Sequence, residues 1–375
     1  MTETGAPSAS SVVVAGGGTG GHTSPGLAVA SILRERHIPC AWIGSRDGVE
    51  ARRAPAQAIP YYAIPTGKLR RYWAWQNVAD LTLNVPAGVL VARRLLGRLR
   101  PRVVFGTGGF VALPVVLAAA SRQLPIVVHE QTSVPGLANR IAARLARRVA
   151  VTFDGGSRAF GRDVVRTGNP LRPELRHGSR ADATARFGFD PALPLVYVTG
   201  GAQGAHRVNR AVGAALSFLL PHAQVIHQCG DNPTTGDLRW LRERRDELPD
   251  ALQRRYHIVP YVDEELAGIY ATAALVIGRA GAGTVNECCQ LGLAALYVPL
   301  PGASGDEQMQ NARLVERAGG AAVLPQPALT PETLGARTLA LLREPARLKE
   351  MGERAQSLAV PDAAERLANL LTEFV

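Results

Sequence analysis

The chain predicts two α/β domains, each built on a doubly wound parallel sheet. Three observations carry that prediction. Short strands that are apolar along their whole length alternate with helical stretches, the pattern of a parallel sheet covered on both faces. A glycine-rich turn occurs twice, as VVVAGGGTGGH ending at His22 and as LVYVTGGAQGAH ending at His206; Gly16 and Gly17 match Gly200 and Gly201, and Gly20 matches Gly204. The copies lie half a chain apart, and 375 residues suit two domains.

Taken in order, SVVVAGGG is a β-branched run closing on glycines, and SPGLAVASILRERH predicts a helix starting near Pro25. CAWIGS, RVVFGTGG and PIVVHEQ are further short strands, with helical stretches such as GLANRIAARLARR between them. The alternation stops in RTGNPLRPELRHGSRADATARF, rich in Arg, Pro and Gly, which is the expected linker. It restarts with PLVYVTGG, QVIHQCG, RYHIVPYV, ALVIGRAG and AALYVPLP. The doubled turn is then the first strand–turn–helix of each half, and the domains are expected at residues 11–168 and 169–358. In such sheets ligands lie beyond the carboxyl ends of the strands, so two facing halves predict a site in the cleft between them. The final stretch, DAAERLANLLTEFV, has the pattern of an amphipathic helix.

Composition narrows the class. Hydrophobic residues at 46% and charged residues at 19% describe a globular chain with material for two cores. The apolar run FVALPVVLAAA is too short to span a membrane and is broken by Pro114. MTETGAPSASS has neither the basic nor the apolar region of a signal peptide, so a cytoplasmic location is expected. Cys40, Cys229, Cys288 and Cys289 form no CxxC pair and no zinc spacing, and are expected to be small core residues. The net charge of +11 is almost all arginine, since lysine occurs only at Lys68 and Lys349. Such a surface favours anionic partners. Without an aromatic-studded basic stripe, a zinc finger or an RNA-binding signature, nucleic acid is not the partner expected.

The glycine turns point to phosphate. Gly16, Gly18 and Gly21 satisfy G-x-G-x-x-G, but a dinucleotide site also wants an acid ending the second strand, where this chain has Gly44 and Ser45. No lysine follows any of the turns, so the Walker pattern is absent too. Glycine turns feeding helix N-termini present N–H groups to an anion, and the chain has four: residues 16–21, 106–109, 200–205 and 278–287. A tight turn alone accounts for any one of them; four together favour phosphorylated ligands. In the last, Gly281 and Gly283 open a helix with Glu287 about one turn inside, where it either accepts from a ribose diol or only balances the helix dipole. No Asp-x-Asp occurs, which argues against a nucleotide–metal site built on paired carboxylates.

Seven stretches occur in order: GGGTGGHTSPGLAVA, GTGGFVALP, HEQTSVPGLANR, GNPLR, GGAQGAHRVN, RAGAGTVNE and GDEQMQNA. Together they closely resemble the bacterial MurG family, the UDP-N-acetylglucosamine: N-acetylmuramyl-pentapeptide pyrophosphoryl-undecaprenol N-acetylglucosaminyltransferases of peptidoglycan synthesis. The resemblance spans nearly the whole chain. It implies two Rossmann-like domains of the GT-B type, with the last helix (359–375) packing back on the first. It also implies inverting transfer of GlcNAc from UDP-GlcNAc to the muramoyl 4-hydroxyl of lipid I, giving lipid II, with no metal and no cofactor.

Residue by residue, the resemblance implies that Glu287 holds the ribose hydroxyls. Ala282, Gly283 and Thr284, followed by Val285 and Asn286, form the helix start near the phosphates. Val262 offers its backbone to uracil, Gln308 reaches the sugar hydroxyls, and Arg172 approaches the diphosphate with its planar fork. Thr19, Gly20, Gly21 and His22 are similar to the family's catalytic turn, with His22 as base or as the residue that binds and orients the acceptor. Glu130 is a second candidate for the chemistry, while Thr107, Gly108, Gly109 and Asn139 are candidates for the acceptor side. His206 is expected to be a solvent-facing helix residue. Three positions depart from the family pattern. Thr132 stands where an asparagine contacts the donor sugar, Ala202 lacks a hydroxyl that touches the diphosphate, and Glu307 replaces a histidine. A hydroxyl donates once where an amide donates twice, so weaker donor binding is expected.

Residues 67–102 mix Leu69, Trp73, Trp75, Leu81 and Leu83 with Lys68, Arg70, Arg71, Arg93, Arg94, Arg98 and Arg100. By pattern this is either a membrane-surface segment for anionic lipids or a covered helix with a basic outer face. The resemblance favours the first, a peripheral position on the cytoplasmic face of the membrane. Other readings are a GT-B UDP-sugar transferase with a different acceptor, a non-catalytic nucleotide-sugar or membrane-binding protein, and a nucleic-acid binder supported by charge alone.

Overall fold

The computed structural model describes residues 10–66, 84–153, 160, 164–302 and 304–375. Leu69, Trp73, Trp75 and Leu81, the expected membrane residues, lie outside the described residues. The chain divides into two units, Met1–Arg172 with Val360–Val375, and Pro173–Ala359. The division falls between Arg172 and Pro173, so Gly168 to Arg172 belong to the first unit.

The first unit runs β1 (Val12–Gly16), α1 (Gly20–Glu35), β2 (Cys40–Ser45), α2 (Val49–Ala56), β3 (Tyr61–Ile64), α3 (Val85–Leu99), β4 (Val103–Gly108), α4 (Ala112–Ala120), β5 (Ile126–Glu130), α5 (Leu137–Leu145), β6 (Arg148–Val151) and β7 (Val164–Arg166). The strands form one parallel sheet in the order β3-β2-β1-β4-β5-β6-β7. Strand order reverses between β1 and β4, which makes their carboxyl ends the topological switch point. The apolar strand runs are explained by burial on both faces. Val13 and Ala15 of β1 pack with Ile43, Val104 and Val116 on one side; Val12 and Val14 pack with Leu33, Trp42 and Phe105 on the other.

That second face is closed by the last helix, Ala363–Thr372. Its Leu367 and Leu371 are fully buried, each contributing about 2 kcal/mol of apolar burial. Arg36, just beyond α1, donates to the Asn369 amide oxygen at 2.7 Å and pairs with Glu365.

α1 begins at Gly20, earlier than the expected start near Pro25, and Pro25 lies inside it. Thr19 is extended at the N-cap, and the Thr23 and Ser24 hydroxyls donate to the carbonyls of Thr19 and Gly20, both at 2.9 Å. Pro25 sits close enough to the N-terminus that its missing N–H costs a single bond. His22 is thereby the third residue of a helix.

The second unit is a six-stranded parallel sheet: β8 (Leu195–Thr199), β9 (Gln224–Gln228), β10 (Tyr256–Val259), β11 (Ala273–Gly278), β12 (Ala295–Tyr297) and β13 (Ala321–Val323). Its order is β10-β9-β8-β11-β12-β13, so the switch point lies between β8 and β11. Val196, Val198, Leu216, Ile277 and Leu296 form the centre of its core. Cys229, Cys288 and Cys289 are buried and Cys40 partly so, all as free thiols. No helix among the described residues is long and apolar enough to cross a membrane.

Candidate functional site

In the first unit the expected residues converge on the carboxyl ends of β1, β4 and β5. Thr107 is fully buried and donates its hydroxyl to the backbone oxygen of His22 at 2.7 Å. The His22 ring, half-buried, brings Nδ1 to 3.2 Å from the Thr107 carbonyl oxygen and to 2.8 Å from Nε2 of Gln131. Gly108 has to lack a side chain here: its φ is +99°, and a Cβ would stand 2.9 Å from His22 Nδ1.

Glu130, at the end of β5, is 2% exposed. Its Oε1 accepts from the backbone N–H and the hydroxyl of Thr132 at 2.9 and 2.8 Å, and its Oε2 accepts from the Asn139 amide at 2.8 Å. The Thr132 hydroxyl is also 2.6 Å from the Val134 carbonyl oxygen, so it is turned into the protein. Thr132 and Asn139 therefore hold the carboxylate. Burial pushes the His22 pKa below its ordinary value and outweighs the opposing pull of Glu130, the Thr107 carbonyl and Glu50. His129 beside it is fully buried and donates Nε2–H to the Gly168 carbonyl at 2.9 Å. Burial drives its pKa down to about 4, with the Gly168 bond opposing and His22 adding to the shift.

Two residues of this site escape a reading of the sequence, Gln131 and Glu50. Glu50 of α2 is fully buried, and its carboxylate accepts from the N–H of Gly18 at 2.8 Å, the N–H of Ser45 at 3.0 Å and the Ser45 hydroxyl at 2.5 Å. It passes so close to Gly17 that a Cβ there would meet its Cδ at 2.0 Å. The first glycine turn is thus fastened from behind by a carboxylate of its own unit. The sequence shows only an acid five residues after β2, and nothing in its spacing points to burial or to the turn.

In the second unit, the helix Ala282–Leu291 starts directly after β11, with Gly281 extended at its N-cap and no side chain capping it. Ala282, Gly283 and Thr284 of its first turn are partly exposed, whereas Val285 and Asn286 are buried. An uncapped helix start with the positive end of its dipole suits a phosphate. One turn in, Glu287 accepts from the Tyr270 hydroxyl at 2.7 Å; burial, followed by Glu287, raises the Tyr270 pKa well above its ordinary value. Gln308 gives its carbonyl oxygen to the Leu300 N–H at 3.0 Å, so its NH₂ end is the part it can offer. Val262 is buried, Ala202 lies exposed in the second glycine turn, and Arg172 is partly buried at the end of the first unit.

The second turn is also fastened, differently from the first. His206 is exposed, as expected of a solvent-facing helix residue, and its Nδ1 also lies 2.7 Å from Oδ1 of the buried Asp237. Arg210, stacked on Trp240, reaches the same oxygen at 3.0 Å, and Asn209 donates to Oδ2 at 2.9 Å. Asn209 in turn meets His227, which meets the Tyr256 hydroxyl. Burial pushes the Asp237 pKa up, but the Asn209 and His206 hydrogen bonds outweigh it and the net shift is downward.

Residues 12–151 match the Glycosyltransferase family 28 N-terminal domain, and residues 195–367 match the family 28 C-terminal domain. The two matches make the chain a glycosyltransferase. Among curated proteins, the UDP-N-acetylglucosamine--N-acetylmuramyl-(pentapeptide) pyrophosphoryl-undecaprenol N-acetylglucosamine transferase of Nocardioides sp. is 41% identical, over 97% of this chain and 98% of that protein. The protein of the same name from Halorhodospira halophila is 40% identical over 96% of this chain and 98% of its own. The crystal structure of Acinetobacter baumannii MurG superposes with a TM-score of 0.75 at 29% identity, covering 96% of this chain and 99% of that one. The chain belongs to the MurG family of glycosyltransferases.

Proposed function

We propose that this protein transfers GlcNAc from UDP-GlcNAc to the muramoyl 4-hydroxyl of lipid I, giving lipid II, by a metal-independent inverting displacement. Its full-length relatives at 40 and 41% identity carry that activity in their names. The observation that carries the reading is the buried cluster of Thr107, Gln131, Glu130 and Asn139 that presents His22 at the switch point of the first sheet. The muramoyl oxygen attacks C1 of GlcNAc, the bond from C1 to the UDP oxygen breaks on the opposite face, and configuration inverts. His22 meets the reacting atoms, and Glu130 acts from behind as a buried negative charge.

The second unit supplies the donor contacts. Glu287 takes the ribose hydroxyls, the helix start at Ala282 to Thr284 takes the diphosphate, the Val262 backbone takes uracil, and the Gln308 NH₂ takes the sugar hydroxyls. Helix N–H groups stabilise the leaving charge without a cation, in keeping with the missing Asp-x-Asp. The protein works as a peripheral enzyme on the cytoplasmic membrane face, supported by the aromatic and arginine content of residues 67–102 and by Leu90 of α3, which is 57% exposed. The test is the anomeric configuration of the product on a short-chain lipid I analogue, read by proton coupling in NMR. A β-linked GlcNAc from the α-linked donor is expected. An α-linked product would refute inversion, and transfer only to some other acceptor would refute the lipid I reading.

A further inference from the structure

The Nδ1 atom of His22 faces two groups. Nε2 of Gln131 lies 2.8 Å away and the Thr107 carbonyl oxygen 3.2 Å away, and that same Gln131 nitrogen is 3.1 Å from the Thr107 oxygen. Gln131 is 2% exposed, so water does not mediate among these groups. A carboxamide nitrogen has two hydrogens and no lone pair to offer. One hydrogen on the Thr107 oxygen leaves the other for Nδ1, and both bonds form if Nδ1 presents its lone pair. A hydrogen on Nδ1 would instead oppose an N–H donor at 2.8 Å. To admit it, the carboxamide has to turn over and give up its bond to Thr107. A neutral imidazole with a bare Nδ1 carries its hydrogen on Nε2.

We propose that Gln131 is a positioning residue that fixes the Nε2–H tautomer of His22, so that His22 meets its substrate as a hydrogen-bond donor and not as the base. The tautomer stands on the geometry of the free protein; its consequence for transfer rests on the function proposed above. Glu130, Glu50 and His129 are the other titratable groups acting on the ring, and none of them is within hydrogen-bond distance of Nδ1 among the described residues. With His22 a donor, and Glu130 buried and hydrogen-bonded at both oxygens, the proton of the attacking hydroxyl passes to water on the face of attack. The O–H bond breaks as the new C–O bond forms, water carries the proton to bulk solvent, and UDP leaves from the opposite face with the electron pair of the C1–O bond.

The experiment is ¹⁵N NMR of the histidine rings in the full-length protein without substrate, with the His22 signals assigned by their loss in His22→Gln. The expected result is a pyrrole-type Nε2 and a pyridine-type Nδ1 in the wild type. Gln131→Leu removes the amide donor and leaves the Thr107 carbonyl to draw the hydrogen to Nδ1. Gln131→Glu, of nearly the same shape, does the same and raises the pH at which His22 titrates. A wild-type ring with its hydrogen on Nδ1 overturns the proposal, and so does an Nε2–H ring that persists in both variants. The functional arm follows turnover of wild type on the lipid I analogue down through the pH at which NMR shows His22 taking up its proton. A donor keeps its Nε2–H in the imidazolium form, so no loss of kcat/KM is expected there. A ten-fold loss for each pH unit below that point is the signature of a base and overturns the proposal. Failure to turn over lipid I at any pH refutes the function and leaves the tautomer result standing.

Discussion

Replacing Glu50 with alanine removes the carboxylate that fastens the first glycine turn. Three hydrogen bonds go with it, from the Gly18 N–H, the Ser45 N–H and the Ser45 hydroxyl. Hydrogen bonds to a charged acceptor contribute roughly 1.5–3 kcal/mol each, but Gly18 is exposed and water replaces its partner. Taking the two Ser45 bonds at the low end of that range and giving Gly18 no weight, the net loss is about 3 kcal/mol. For a unit of this size that lowers the melting temperature by roughly 6–12 °C. The assay is a calorimetric scan with UDP titrated into the folded variant at low temperature. UDP affinity should be unchanged, because the nucleotide contacts proposed above lie in the second unit, while acceptor-dependent turnover falls at least about ten-fold as His22 loses its fixed position. Glu50→Gln keeps the volume and one acceptor and should fall between the two. A melting temperature within about 2 °C of wild type, with full turnover, would refute the claim that this carboxylate holds the first glycine turn.

Three further predictions concern stability. His129 is neutral in the fold with a pKa near 4, whereas an unfolded chain protonates it below 6.5; stability therefore falls as pH drops from 6.5 towards 4, by about 3 kcal/mol, and His129→Gln should flatten that slope in urea titrations. Leu371→Ala opens a cavity where the last helix covers the first sheet and should cost about 2–4 kcal/mol, measured by thermal melting; less than 1 would mean that the helix adds little. Asp237→Ala leaves His206, Arg210 and the buried Asn209 without their shared acceptor and should cost about 2–3 kcal/mol in the second unit; equal stability would show the network to be idle.

The alternation of strands and helices was legible because the central strands are buried on both faces and their whole sequence is apolar. The strands that went unseen, β3, β6, β7 and β13, are three or four residues long and lie towards the sheet edges. Their strand character comes from a neighbour's hydrogen bonds rather than from their own pattern. Likewise proline ordinarily opens a helix, which points to a start of α1 near Pro25, whereas the helix begins at Gly20 after an extended Thr19 and takes Pro25 in as its sixth residue. At the site, His22, Thr107, Glu130 and Asn139 stood out as polar residues of a family pattern, Thr107 and Glu130 near strand ends and His22 and Asn139 on helices. Glu50 and Gln131 did not, because each acts through tertiary contacts: a carboxylate aimed at an amide 32 residues away, and a carboxamide wedged against a ring 109 residues away and a carbonyl 24 residues away. The network after the second turn hid for the same reason: His206 is exposed on its helix as expected, and its contact with buried Asp237, 31 positions on, leaves no mark in the sequence pattern.

The central claim is tested most directly by UDP release from UDP-GlcNAc in EDTA, with and without a short-chain lipid I analogue, comparing wild type with His22→Ala. Release that requires the acceptor, survives EDTA and collapses in the variant is the predicted result. Measurable UDP-GlcNAc binding with no acceptor-dependent release would contradict the account and leave a nucleotide-sugar binder or a transferase for another acceptor.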